Sequence, residues 1–265
     1  MRELYGCGEP TGGSAAGQGS RPTVLRRREL LVGLLGAPLV SAKVHSSQVR
    51  HCGIAWEVLR NGHSNRRYLH IHGDETTARE VLRDHMTRHK GTAVLVVNNE
   101  RTIPAADGRL DPNRMFTRVG ALANLRLLNK TWPQDKVEHE LKRLDHERKP
   151  LLKVLTPPKG GLLFAVHNNA RGYSVREEVE ISNATSLKDA SNPHEFFLVT
   201  DPADYGVLAE SSFNVVLQNA PKGPDDGSMS RLMASRGIRY VNLEVGIGKR
   251  ERQREMMEWA EAKLR

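Results

Sequence analysis

The chain has 265 residues of which 38% are apolar, enough for one sizeable hydrophobic core, and one domain is the simplest arrangement. Forty Lys and Arg against 31 Asp and Glu leave a formal charge of +9, which favours acidic substrates or anionic polymers; scattered basic residues, 5% aromatics and no groove-binding motif set nucleic acid aside. No run of about 18 apolar residues occurs, which excludes a permanent membrane span.

Residues 1–24 are rich in Gly, Ser and Pro, and Arg26-Arg27-Arg28-Glu29-Leu30-Leu31 then opens an apolar stretch that runs to Val40. The small-residue ending Val40-Ser41-Ala42 follows. A positive, an apolar and a small-residue region in this order predict an export signal over 1–42, cut after Ala42. The arginine pair followed by Glu-Leu-Leu resembles a twin-arginine signal, which carries already folded proteins to the periplasm or beyond. Cys7 falls inside the signal, so Cys52 is left alone in the mature domain, 43–265, and is expected to be a small buried hydrophobe.

From about residue 50, short apolar runs alternate with amphipathic stretches. Tyr68 to Ile71 reads as a strand, and Thr76 to His89 as a helix with Ala78, Val81, Leu82 and Met86 on one face. Thr92 to Val97 is a buried strand. Gln134 to Arg148 is a charged helix with Val137, Leu141 and Leu144 inward, and Gly160-Gly161 introduces a strand from Leu162 to Val166. Further strands are expected at Phe196 to Val199, Phe213 to Leu217 and Ile238 to Val245, with helices at Pro202 to Glu210 and Ser228 to Ser235. A last helix from Glu251 buries Met256, Met257, Ala260 and Leu264. The expected fold class is α/β, a mixed, largely parallel sheet with helices on both faces, and ligands in such folds gather at the carboxyl ends of strands.

Chemistry-bearing residues fall at those ends. His72-Gly73-Asp74-Glu75 follows the first strand, and a His-x-x-Glu turn can aim an imidazole and a carboxylate at one point. His167 ends the strand Leu162 to Val166. Between them stands Asp111-Pro112-Asn113-Arg114-Met115-Phe116, preceded by Asn99-Glu100-Arg101, and late in the chain Tyr240-Val241-Asn242-Leu243-Glu244-Val245-Gly246 places a glutamate on a strand. Taken singly, each has an ordinary reading: a surface histidine, an Arg114–Asp111 pair, a strand carboxylate.

In order and approximate spacing, these four elements resemble the zinc carboxypeptidase superfamily, and within it the succinylglutamate desuccinylase and aspartoacylase branch, over about residues 65 to 260. The resemblance implies that His72, Glu75 and His167 hold Zn2+, with their side chains within about 5 Å of one another. It implies that Glu244 is general base and acid, and that Asn113 and Arg114 bind a substrate carboxylate. Arg101 or Arg109 would polarise the scissile carbonyl, Arg101 being preferred because it follows the strand Thr92 to Val97; Tyr173 would line the pocket. The expected activity is zinc-dependent hydrolysis of an amide bond next to a carboxylate, on small peptides, N-acyl amino acids or peptidoglycan fragments. The alternative is a non-catalytic zinc- or ligand-binding envelope protein of the same fold.

Overall fold

Residues 44–169 and 172–265 are described by the computed structural model; the expected export signal over 1–42 lies outside them. In chain order the elements are β1 (His45–His51), β2 (Ile54–Asn61), β3 (Arg66–His70), α1 (Thr76–Arg88), β4 (Gly91–Val96), β5 (Ile103–Ala105), β6 (Gly108–Leu110), α2 (Arg118–Leu128), α3 (Gln134–Leu155), β7 (Leu162–Asn169), α4 (Val175–Val179), β8 (Ala184–Ser186), β9 (Phe196–Val199), α5 (Pro202–Leu208), β10 (Asn214–Leu217), α6 (Met229–Ser235), β11 (Tyr240–Gly246) and α7 (Arg250–Lys263). Nine strands form one sheet in the order β1-β2-β4-β3-β7-β11-β9-β10-β8, and β5 with β6 makes a separate hairpin.

The centre of the sheet, β4-β3-β7-β11, is parallel, so four carboxyl ends meet along one edge. Antiparallel neighbours join on both flanks, β2 beside β4 and β9 beside β11. This is the mixed α/β sheet that the apolar pattern predicts. Successive strand residues face opposite sides. Leu69, Val94, Ala165 and Tyr240 pack in the core with residues of α2, α3 and α6, while Tyr68, Ala93, Phe164 and Val241 pack with those of α1, α5 and α7. Covered on both faces, the central strands read as nearly continuous apolar runs.

Two expected boundaries move by more than two residues. The third helix, α3, does not stop at Arg148 but runs on through Pro150 to Leu155. Leu151, Leu152 and Leu155 continue its buried stripe; at about 1.5–3 kcal/mol each, their burial offsets the roughly 3 kcal/mol that an interior proline costs. Strand β7 likewise continues past Val166 to Asn169, which places His167 inside the strand instead of after it. The mostly exposed edge strand β1 carries no apolar pattern to mark it. Its hairpin to β2 turns at Cys52 and Gly53, both with positive φ. Cys52 is fully buried in the core, and burial pushes its thiol up to about 12, leaving it an unreactive hydrophobe at neutral pH.

Candidate metal centre

Beyond β3 the chain makes one tight turn, with the Glu75 N–H donating to the His72 carbonyl at 3.2 Å, and enters α1 at Thr76. Gly73 is required there by close approach: a Cβ would lie 1.9 Å from Asn98 Oδ1 and 2.6 Å from its backbone oxygen. Glu75 occupies the N-cap position of α1, yet its carboxylate does not cap the helix. It turns inward to the histidines instead. Oε1 accepts from His72 Nδ1 at 2.8 Å and from Arg101 Nη1 at 3.1 Å. Oε2 lies 3.2 Å from His167 Nδ1 and accepts from the Asn168 N–H at 3.1 Å.

His167 arrives from β7, whose parallel pairing with β11 sets it directly beside Glu244. In-register neighbours point to the same face of a sheet, so the late glutamate and the second histidine reach one space. Asn242, two residues before Glu244 and therefore on the same face, donates from Nδ2 to Glu244 Oε1 at 3.1 Å. The next residue of β7, Asn168, faces away: its Oδ1 accepts from the Ala78 N–H at 2.7 Å and its Nδ2 donates to Gln253 Oε1 at 2.9 Å. Gln253 in turn donates to the His167 carbonyl at 2.8 Å, tying α7 to the strand that carries the site.

The ligand-type atoms of His72, Glu75 and His167 lie within 4.8 Å of one another, and all three residues are buried. The His72 and His167 rings meet edge to face, 5.3 Å between centroids. The other nitrogen of His72, Nε2, donates to Asp111 Oδ1 at 2.9 Å. Two imidazole nitrogens and one carboxylate, with a second carboxylate orienting one ring from behind, form a donor set that fits zinc. Glu75, Asp111 and His72 hold one another in their charged forms. Burial works against a charged His72, but Glu75 and Asp111 outweigh it and raise its pKa to about 9. Burial likewise opposes ionisation of Asp111 and Glu75, yet His72 holds Asp111 down to about 2, and His167 with His72 holds Glu75 well below the usual carboxylate range. Glu244 differs: burial dominates and lifts it to about 7, suited to taking and returning a proton near neutral pH.

A cavity of about 420 Å³ opens over the cluster, and Arg101, Asn113, Arg114, Tyr173 and Glu244 border it. Asp111 also caps the short 3-10 turn Pro112–Arg114 by accepting from the Asn113 N–H at 2.8 Å. Asn113 Oδ1 accepts from the Met229 N–H at 3.1 Å, and Arg114 Nη1 lies 3.4 Å from Asp226 Oδ2. The loop bearing Asp226 can pack this closely because Gly227 has φ +79° and no side chain; a Cβ there would stand 2.3 Å from the Arg114 carbonyl. Tyr173 donates its hydroxyl to Glu178 Oε1 at 2.6 Å.

Arg109 is not brought to the cavity. It sits on β6 with its backbone N–H and carbonyl bonded to the Asn129 side chain and its own side chain exposed, so of the two candidate arginines only Arg101 is in position. The ordinary reading of Arg114 as a partner of Asp111 also falls, because Asp111 is committed to His72 and Asn113. Two residues not singled out from the sequence belong to the site, Asp111 and Asn242. Each carries a local signal: Asp111 opens the Asp-Pro-Asn-Arg stretch, and Asn242 shares a strand face with Glu244.

Fold and site together define an α/β protein with a buried two-histidine, one-glutamate cluster at the carboxyl edge of its parallel strands. No known protein family matches the sequence, and no curated protein matches it. Among solved structures, the chain is similar to a provisionally named metallopeptidase from Shewanella amazonensis SB2B, at 12% identity and TM-score 0.45 over 83% of this chain and 85% of that one. A like-named protein from Shewanella baltica OS155 gives 11% identity and TM-score 0.42 over 82% and 84%. A succinylglutamate desuccinylase/aspartoacylase from Rhodobacter sphaeroides gives 15% and 0.42 over 84% of this chain and 65% of that one. All three TM-scores are below 0.5, and the chemistry of the site stands on this chain's own residues.

Proposed function

We propose that the chain is an exported zinc-dependent hydrolase that cuts an amide bond beside a carboxylate in a small peptide, an N-acyl amino acid or a peptidoglycan fragment. The observation that carries this reading is the convergence of His72, Glu75 and His167 within 4.8 Å, with Glu244 in register beside His167. Zinc held by those three residues would polarise the amide carbonyl and make water a stronger acid. Glu244 takes a proton from the attacking water and delivers it to the leaving nitrogen, a role consistent with a carboxyl raised to about 7 and steadied by Asn242. Arg101 pairs with Glu75 Oε1 at 3.1 Å, a contact with which a cation on the same carboxylate would compete. Released from it, the guanidinium can face the carbonyl oxygen as negative charge develops there. Arg114 offers a planar fork to the substrate carboxylate and Asn113 a neutral contact beside it. Tyr173 borders the same space. A polar cavity of about 420 Å³ suits a small charged substrate better than a folded protein.

Zinc-loaded protein incubated with panels of muropeptides and N-acyl amino acids, read by mass spectrometry, tests the proposal. Release of a free amine product that stops on chelation is expected. Stoichiometric zinc with no turnover on either panel would leave the non-catalytic binding protein as the better reading.

A further inference from the structure

We propose that the seam between α1 and α7 holds a second divalent-cation site, formed by His85, His89 and Glu258 and separate from the centre above. His85 and His89 stand one turn apart at the carboxyl end of α1, and Glu258 comes from α7. Residues spaced i, i+4 share a helix face. Here their rings stack with centroids 3.9 Å apart and planes 8° from parallel, and both turn to the same carboxylate. His85 Nδ1 is 3.2 Å from Glu258 Oε1, and His89 Nε2 is 2.8 Å from Oε2. One donor atom of each residue lies within 4.8 Å of the others.

The surroundings suit an ion that enters from solvent. The buried His85 packs edge-on against Tyr68, at 5.1 Å between ring centroids, which fixes its orientation. Among the described residues its Nε2 has no hydrogen-bond partner, and Nδ1 is the ring atom aimed at Glu258. His89 and Glu258 expose 28% and 31% of their side chains and leave the outer side open. The opposing charges are Arg88, 2.9 Å from Glu258 Oε1, and Arg254 nearby. Arg88 also pairs with Asp84 at 3.2 Å, as does Arg254, so Arg88 can give up Glu258 to a cation without being left unpaired. Two imidazoles and one carboxylate select zinc, nickel or copper(II) over magnesium or calcium. The site lies roughly 15–20 Å along α1 from Glu75, too far to share an ion with the first. A cation there would fasten the C-terminal helix, and with it Gln253 behind His167, to α1.

Titration of the full chain with zinc alone, by calorimetry and thermal unfolding, tests this. The parent is expected to take up one more equivalent than His89→Ala and to lose that part of its zinc-induced rise in Tm with the substitution. Glu258→Gln should weaken the same equivalent at least tenfold, since loss of even a supporting residue costs 10- to 100-fold. His89 caps α1 through its backbone, which alanine keeps, and circular dichroism checks that the variant is folded. In a His72→Ala background the equivalent that depends on His89 should persist, which separates this site from the first. Equal zinc stoichiometry and affinity in the parent and His89→Ala would overturn the proposal, as would loss of all zinc uptake in folded His72→Ala.

Discussion

His72, His167 and Glu75 expose 2%, 4% and 5% of their side chains, whereas Arg114 and Arg101 at the mouth of the same cavity expose 36% and 48%. The inner groups have their positions set before any ligand arrives, by strand pairing, by the turn after β3 and by hydrogen bonds on every side of Glu75. The outer arginines rest on partners that a substrate can replace, Glu75 for Arg101 and Asp226 for Arg114. The Arg114–Asp226 pair is open to solvent on both sides, and such pairs are worth little, about 0–1 kcal/mol, so exchanging it for a substrate contact costs little. The contrast teaches that changes inside should act nearly all or none, and changes at the mouth should be graded and dependent on the substrate.

The largest effect is expected inside. Glu244→Gln keeps the shape of the side chain but cannot accept a proton, and turnover should fall about 10²- to 10⁴-fold with zinc content unchanged, whereas His72→Ala should lose zinc and activity together. Steady-state rates alongside metal analysis check both; loss of zinc in Glu244→Gln would move that residue from proton carrier to ligand.

At the mouth, amidating the substrate carboxylate should lower kcat/KM by about 1.5–3 kcal/mol, the worth of a hydrogen bond to a charged group, or roughly ten- to a hundredfold. Arg114→Ala should erase the difference between acid and amide. If the two substrates react equally fast with the parent, Arg114 serves only its pairing with Asp226.

The last effect acts within the cluster, through protons. His72 is held charged up to about 9 by Glu75 and Asp111 against its burial, so a zinc ion binding there would have to displace a proton from Nδ1. Apparent affinity should therefore rise about tenfold per pH unit between about pH 6 and 8 and level off as pH passes the His72 value. Competition with a chelator of known pH dependence measures this, and a flat profile would mean that His72 is already neutral.

Much of this was legible in the sequence for particular reasons. The strands around Tyr68, Ala93, Phe164 and Val241 are doubly covered and so appear as apolar runs, and His72 with Glu75 is a local pair whose geometry one turn decides. Asp111 was harder to see, because its partner is His72, across the site from the turn it caps. Arg101 and Arg109 are alike as loop arginines, and only the separate β5–β6 hairpin, which carries Arg109 off, tells them apart.

By itself, then, the sequence determined the α/β class, the order of the main strands and helices, and which residue types stand ready at strand ends, since those follow from periodicity and local turns. Tertiary structure alone decided that His167 and Glu244 lie side by side, that Asp111 backs His72, and that His85 and His89 face a glutamate of the last helix. These are contacts between residues remote in the chain, set by which strand pairs with which and which helices pack together, and a local pattern of side chains carries no record of either.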